Sequence, residues 1–250
     1  MRPAALITGA CGGIGRALCD VFTEAGYLAV GIDLHAPEDY PHSIIHCDIR
    51  RLAQSEQAAE TLKKDVLNIT AGRLDVLINN AAVQIIKPCN ELTRSDWAAT
   101  LETNLLAPFW LTTLFLPELR GAKGSVVNIG SIHARLTKRQ FVAYATSKGA
   151  LATMTRAMAL DMAPDIRVNA IAPAATDTPM LRAGFLGNPD GFAGLERYHP
   201  LERIASPKEI SKVALFLASS QSEFITGSAI DVDGGIGGCL SDPEPKPQKG

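Results

Sequence analysis

Three residues of this chain have the types and spacing that acid–base chemistry needs: Ser131, Tyr144 and Lys148. A phenol has a pKa of about 10 and is therefore a poor acid or base near neutrality. A lysine at i+4 on the same helix face keeps a positive charge beside the phenol, which favours the phenolate and lowers the pKa of Tyr144. A nearby serine hydroxyl can hold a substrate oxygen. Together they predict proton transfer to or from an alcohol or a carbonyl.

The tyrosine–lysine spacing alone is weak evidence, because it occurs by chance in roughly one of every two or three chains of this length. The alternative is a partly buried helix tyrosine beside a solvated lysine. The interpretation therefore depends on whether the rest of the sequence places a hydride carrier beside Tyr144.

Composition excludes several function classes. The net charge of −2 gives no sign of a nucleic-acid surface. No apolar run reaches the roughly 18 residues that span a bilayer, so no membrane partner is expected. The five cysteines are scattered and form no C-x-x-C pair, which indicates reduced thiols and a cytoplasmic enzyme. His42 and His46 lie on a predicted strand, roughly 13 Å apart, so no metal is expected there.

Strands and helices alternate along the chain. Several predicted strands are continuous apolar runs, which is typical of strands buried on both faces of a parallel sheet. The pattern predicts one α/β domain over residues 1–240, with a Rossmann-like doubly wound parallel sheet flanked by helices. The predicted strands are 4–8, 28–33, 44–47, 74–79, 125–129, 167–171 and 229–232. The predicted helices are 14–25, 52–66, 97–119, 144–162 and 207–218, the last opened by a capping box at Ser206 and Glu209.

Two segments interrupt the alternation. Residues 180–206 are glycine-rich and have no strong period, which fits either a mobile substrate lid or an ordinary surface excursion. Residues 241–250 are rich in proline and charge, and this composition predicts a disordered tail.

A glycine-rich turn joins the first strand to the first helix. Residues 8–15 read T-G-A-C-G-G-I-G, which lets the backbone approach a pyrophosphate at a helix N-terminus. Asp33 ends the second strand, where a carboxylate binds both ribose hydroxyls of NAD and repels the extra phosphate of NADP. No arginine follows it. Arg16 is either a solvated helix residue or a contact for that phosphate, and NAD is the expected cofactor.

The glycine turn and the tyrosine–lysine pair occur together in one family. From residue 4 to about 238 the chain resembles the short-chain dehydrogenases/reductases in their single-domain form. Residues 8–15 match the family pattern T-G-x-x-x-G-x-G, and residues 79–82 resemble its N-N-A-G stretch. Ser131, Tyr144 and Lys148 match its serine, tyrosine and lysine in spacing.

The resemblance implies roles for individual residues. The catalytic set it implies is Asn104, Ser131, Tyr144 and Lys148, with Asn104 supporting a water relay. The cofactor-binding set is Gly9, Cys11, Gly13, Ile14, Gly15, Asp33, Asp48, Ile49, Asn80, Ala81, Tyr144, Lys148, Pro173, Thr176 and Thr178. The chain departs from the pattern at Ala82, Ala174 and Thr176, and these departures bear on cofactor affinity rather than on the chemistry.

The substrate is less constrained. Gln84, His133, Gln140 and Phe141 flank segments that should edge the nicotinamide, and they are the candidate substrate residues. Three cations lie between residues 135 and 139. They fit either a site for an anionic substrate, such as a hydroxy acid, or a solvated basic loop.

Three functions remain open. The first is an NAD-dependent dehydrogenase of a small secondary alcohol, such as a sugar, polyol or hydroxy acid. The second is a ketone or 3-oxoacyl reductase, and the third is a non-catalytic NAD-binding regulatory protein. The region 105–119 is apolar nearly all round, so a homotetramer or homodimer is expected, the alternative being deeper burial within one subunit.

Overall fold

A computed structural model describes residues 2–239, and the predicted tail at 241–250 lies outside them. Within the described residues a single seven-stranded, all-parallel sheet has the order β3-β2-β1-β4-β5-β6-β7. The strands are β1 Ala4–Thr8, β2 Leu28–Asp33, β3 Ser43–His46, β4 Val76–Asn79, β5 Ser125–Ile129, β6 Arg167–Pro173 and β7 Ala229–Val232. All seven predicted strands are confirmed, as is the doubly wound fold.

Helices cover both faces of the sheet. They are α1 Gly13–Glu24, α2 Glu56–Thr70, α3 Arg94–Leu101, α4 Ala107–Leu114, α5 Leu116–Gly121, α6 Val142–Met162, α7 Pro179–Ala183, α8 Pro189–Arg197 and α9 Pro207–Ala218. Successive residues of β1 point to opposite faces. Leu6 packs among α2, α4, α5 and α6, whereas Ala5 and Ile7 pack against α1 and α9. Burial on both faces explains the unbroken apolar strands.

The predicted helix 97–119 was wrong as a single element. The chain forms α3, then a π-helical turn at Glu102–Leu106, then α4, and it breaks again at Phe115 before α5. Single π turns insert one extra residue into a helix and are frequent at functional sites. Here the turn carries Asn104, whose buried side chain bonds backbone outside the helix.

Two other boundaries also differ. The helix predicted at 52–66 begins only at Glu56, where Ser55 caps it by accepting from the Ala58 amide, and Ile49–Ala53 forms a 3-10 helix. Residues 180–206 contain most of α7 and all of α8, which the sequence did not reveal because both helices are short. The predicted capping box of Ser206 and Glu209 is confirmed.

The strand order reverses between β1 and β4, which are neighbours in the sheet. In open α/β sheets a ligand crevice forms at this point, beyond the carboxyl ends of the strands. The glycine turn follows β1 and Asn80 follows β4, so the topology brings both to the crevice. Within residues 2–239 no helix combines the length and apolar character that crossing a membrane requires.

Candidate active site

A cleft of about 1150 Å³ opens at the carboxyl ends of the strands. Nearly all the predicted site residues line it, although they come from segments far apart in sequence. Those lining the cleft are Gly9, Cys11, Gly13, Ile14, Gly15, Asp33, Asp48, Ile49, Asn80, Ala81, Gln84, Ser131, His133, Gln140, Phe141, Tyr144, Lys148, Pro173, Thr176 and Thr178. Asn104 lies behind the cleft wall instead.

The glycine turn is packed too tightly for side chains. Gly9 has a φ of +65°, and a Cβ there would lie 2.9 Å from the Cα of Ala81. A Cβ on Gly13 would lie 2.9 Å from the Thr178 methyl group, so the residue that caps α7 packs directly on the turn. The turn therefore exposes backbone N–H groups at the N-terminus of α1, which is the geometry that binds a pyrophosphate.

Asn80 fastens this turn to β4. Its side-chain amide donates to the carbonyl oxygens of Thr8 at 2.9 Å and of Gly9 at 3.1 Å. The Thr8 hydroxyl in turn accepts from the backbone amides of Asn80 and Ala81, each at 3.0 Å. These bonds across the strand-order reversal hold the two halves of the predicted cofactor site in register.

The Asp33 carboxylate is oriented by two backbone amides. Oδ2 accepts from the Cys11 amide at 2.9 Å, and Oδ1 accepts from the His35 amide at 3.2 Å. The carboxylate thus lines the cleft beside the glycine turn. Arg16 does not line the cleft: its Nε donates to the Cys11 carbonyl at 3.0 Å, and its guanidinium lies 5.4 Å from the Tyr40 ring centroid.

Arg50 is a cleft residue that the sequence analysis did not identify. Its guanidinium forms a bidentate ion pair with Asp48, with Nη2 donating to Oδ2 at 2.6 Å. Those hydrogen bonds lower the pKa of Asp48. The pair fixes the Asp48 side chain, a member of the predicted cofactor-binding set, at the cleft wall.

Ser131, Tyr144 and Lys148 meet at the floor of the cleft. Ser131 follows β5, and its hydroxyl accepts from the His133 amide at 3.1 Å. Tyr144 and Lys148 lie one turn apart on α6, with Nζ 5.7 Å from the phenol ring centroid. Lys148 is only 2% exposed, and its Nζ donates to the Ile129 carbonyl at 2.8 Å. The predicted grouping is present in the structure.

The electrostatics differ from the simple sequence expectation. Burial raises the pKa of Tyr144, while the Ser131 hydroxyl acts in the opposite direction and lowers it. Burial also lowers the pKa of Lys148 to about 8. The expectation that the lysine sets a low tyrosine pKa was incomplete, because both groups lie in the same desolvated wall and desolvation penalises the charged form of each.

Asn104 supports the wall from behind. Its Oδ1 accepts from the Val83 amide at 2.8 Å, and its Nδ2 donates to the Val83 carbonyl at 2.9 Å and to the Ser147 hydroxyl at 3.0 Å. The Ser147 hydroxyl donates to the Tyr144 carbonyl. Asn104 therefore links the segment after β4 to the helix that carries Tyr144 and Lys148.

Aromatic rings form one side of the cleft. His133 stacks on Phe141, with centroids 4.5 Å apart and planes inclined by 8°, and meets the Tyr144 ring edge-on at 5.7 Å. Lys138 lies 4.8 Å from the Phe141 ring centroid. Gln140 has a φ of +71°, a conformation that costs a non-glycine residue free energy and is often retained at functional sites.

The pKa of His133 is lowered to about 4, first by burial and second by the charge of Lys138. We expect an NMR titration of the His133 ring to show a midpoint near 4 rather than near the ordinary 6.5. The folded pKa is below the unfolded one, so stability falls as pH drops from about 6.5 to about 4. Lys138→Gln should raise the midpoint, and a wild-type midpoint above 6 would contradict this account.

The three cations at residues 135–139 have different surroundings. Arg135 forms a 2.7 Å ion pair with Asp231, whereas Lys138 and Arg139 line the cleft. Residues 180–206 and the segment after β7 add apolar side chains to the cleft, which the sequence analysis did not identify. They are Met180, Leu181, Phe185 and Leu195, together with Ile236 after β7. These residues are dispersed along the sequence, so no sequence motif identifies them as one surface.

Comparison with known proteins defines the class. A family model described as enoyl-(acyl carrier protein) reductase matches residues 9–237. An uncharacterised oxidoreductase of Schizosaccharomyces pombe is 34% identical over 236 residues, covering 92% of this chain and 89% of that protein. The chain belongs to the short-chain dehydrogenases/reductases, and at that level it is an oxidoreductase.

Two solved structures share the whole architecture. The aldohexose dehydrogenase of Thermoplasma acidophilum superposes with a TM-score of 0.92 at 28% identity, covering 98% of each chain. The 3-ketoacyl-(acyl-carrier-protein) reductase of Brucella melitensis, complexed with NADH, gives a TM-score of 0.83 at 27% identity. It covers 94% of this chain and 98% of that one. The confirmed family resemblance therefore extends over nearly all of the described residues.

Proposed function

We propose that this protein is an NAD-dependent dehydrogenase of a small secondary alcohol, with Tyr144 as the general acid/base. The observation that carries the proposal is the convergence of Ser131, Tyr144 and Lys148 in the cleft that Asp33 and the glycine turn also line. A dehydrogenase of aldohexoses and an NADH-bound ketoacyl reductase share the fold, which supports a carbonyl–alcohol interconversion.

The residues present fit a nicotinamide dinucleotide. Gly9, Gly13 and Gly15 form a turn with no room for a Cβ, and Asp33 presents an oriented carboxylate beside it. Asp48, Ile49, Asn80, Ala81, Pro173, Thr176 and Thr178 complete the proposed binding wall. When bound, such a cofactor accepts a hydride from the substrate carbon or returns one to it.

Side chains of the protein carry out the proton transfer. Ser131 orients the substrate oxygen and stabilises the charge that develops on it. Tyr144 takes the hydroxyl proton during oxidation and returns it during reduction. Lys148 is held by the Ile129 carbonyl and contributes positive charge to the same wall. Asn104 fixes the helix that carries both residues and, by the resemblance, supports a proton path to solvent.

The preference for NAD rests on Asp33 and Arg16. A carboxylate held by two amides accepts two hydroxyl hydrogen bonds and repels a phosphate at the same place. Arg16 and Arg50 already bond to the Cys11 carbonyl and to Asp48, respectively, so neither is directed at a ribose phosphate. The replaced positions Ala82 and Ala174 line the cleft without closing it.

Asp33→Ala should weaken NAD binding at least tenfold and leave NADP binding less affected, because charged hydrogen bonds contribute about 1.5–3 kcal/mol. Titration calorimetry with both cofactors measures the change. Asp39→Ala, at an exposed carboxylate beyond β2, is the matched control and should bind as the wild type does. An unchanged NAD-to-NADP ratio in Asp33→Ala would refute the selector role.

Reduction of NAD, followed by absorbance with a panel of polyols, sugars, hydroxy acids and simple secondary alcohols, tests the proposed activity. Turnover of neutral and carboxylated substrates with equal efficiency would exclude an anion site at Lys138 and Arg139. The reductase function is the second candidate, supported by the ketoacyl reductase neighbour and opposed by Asp33. Tight NAD binding without turnover across the panel would favour a regulatory protein instead.

The proposal includes an oligomeric state and a cellular compartment. Leu106 and Trp110 are 40% and 41% exposed on the π turn and α4, so an apolar strip remains for another subunit. We infer a homotetramer or homodimer formed through this region and α6. The scattered, unpaired cysteines favour the cytoplasm.

A further inference from the structure

His199 is a buried histidine that the proposed chemistry does not use. It follows α8 and lines the same cleft as Ser131 and Tyr144. The residue is 2% exposed. Its Nε2 has no hydrogen-bond partner within residues 2–239, although the atom is buried. Buried polar side-chain atoms are nearly always paired in folded proteins, so an unpaired one on a cleft wall requires an explanation.

The other ring nitrogen fixes the chemistry of Nε2. Nδ1 lies 2.9 Å from the carbonyl oxygen of Leu195. A carbonyl oxygen only accepts hydrogen bonds, so Nδ1 must carry a proton. In the neutral ring Nε2 then presents a lone pair, and its partner has to be a donor such as a hydroxyl group.

The ring cannot readily turn away from the cleft to find another partner. The His199 amide donates to the Glu196 carbonyl at 3.1 Å, and its own carbonyl accepts from the Glu202 amide at 2.7 Å. Glu202 adopts a φ of +52°, and ring atom Cδ2 lies 3.5 Å from the position of a Cβ on Gly234. These bonds fix the backbone of His199, and the hydrogen bond of Nδ1 with the Leu195 carbonyl orients the ring.

The cleft residues that neighbour His199 in residues 180–206 and after β7 are apolar. They are Leu195, which lies in residues 180–206, and Ile236, which follows β7. A hydroxyl donated to Nε2 would satisfy this unpaired acceptor. A site built in this way discriminates strongly against analogues that lack the hydroxyl, because they leave the buried acceptor unpaired.

We propose that Nε2 of His199 accepts a hydrogen bond from a second hydroxyl of the substrate, which makes the substrate a polyol or sugar rather than a simple alcohol. This inference rests on the proposed dehydrogenase function and narrows its substrate class. His199 is a specificity-determining residue here, and Tyr144 and Ser131 act on the reacting hydroxyl.

The kinetic test compares cis-cyclohexane-1,2-diol with cyclohexanol, which differ by one hydroxyl. The wild type should show a kcat/KM at least tenfold higher for the diol. His199→Phe removes the acceptor, and His199→Asn places an amide near Nδ1 only, so both should lose that preference. His199→Gln places an amide near Nε2 and should retain part of it. An equal ratio in all four proteins would overturn the proposal.

Tyr198→Phe, at the exposed neighbouring position, is the matched control and should retain the wild-type ratio. A second measurement does not depend on turnover or on the variants folding. With ¹⁵N-histidine-labelled wild type and NADH present, the diol should shift the His199 Nε2 resonance, and cyclohexanol should not. If the diol shifts Nε2 but no substrate is oxidised, the dehydrogenase proposal fails and the binding site stands. If neither compound shifts it, the His199 proposal fails.

Discussion

Replacing Tyr144 with phenylalanine is expected to lower kcat by at least about 100-fold, because general acid/base catalysis typically contributes 10²–10⁴-fold. The phenol ring meets His133 and Phe141 edge-on, and these contacts do not use the hydroxyl. The fold and the cofactor wall should therefore survive the substitution. Stopped-flow measurement of NADH formation, together with titration of NAD binding, separates the lost chemistry from lost binding.

Tyr27→Phe is the control for this substitution, since Tyr27 packs on Phe22 in the core behind β1 and does not line the cleft. It should turn over substrate as the wild type does. The pKa of Tyr144 is raised by burial, so the wild-type rate should increase with pH until the phenol ionises. Near-normal turnover in Tyr144→Phe would remove this residue from the mechanism.

Replacing Gly15 with alanine is expected to disrupt both the fold and cofactor binding. A Cβ at this position would overlap the Gly9 carbonyl oxygen and lie 2.8 Å from the Cα of Ala10. Both are backbone atoms, so the clash cannot be relieved by a side-chain rotation. Overpacking of this kind costs about 1–3 kcal/mol or more, which corresponds to a fall in Tm of roughly 5 °C. Thermal unfolding and NAD titration measure the two effects.

Gly121→Ala provides the comparison, because Gly121 ends α5 and a Cβ there meets nothing within 4 Å. Its Tm should stay the same or rise, since alanine favours a helix over glycine. The Gly15 variant should also raise the NAD dissociation constant at least tenfold, because moving the Gly9 carbonyl displaces the turn that binds the pyrophosphate. Equal stability and affinity in both variants would show that the turn tolerates displacement.

The strands were predictable because their signal is local. A strand buried on both faces needs an unbroken apolar run, and Leu77 and Val126 lie in such runs whatever the rest of the chain does. The helix region 97–119 was not predictable in detail. Its break into α3, the π turn and α4 depends on bonds from Asn104 to Val83, which belongs to a distant segment. Local periodicity carries no information about such a bond.

The sequence by itself determined the strand pattern, the glycine turn, Asp33 and the spacing of Tyr144 and Lys148, since each depends on neighbours within a few residues. Only the tertiary structure decided the electrostatics and the substrate wall. Whether burial or charge dominates the pKa of Tyr144 depends on desolvation by surrounding segments. His199 becomes part of the cleft only because residues 180–206 pack beside the segment after β7. Tyr144 and Lys148 are adjacent through one helix turn, but that helix meets the cofactor wall only through long-range packing.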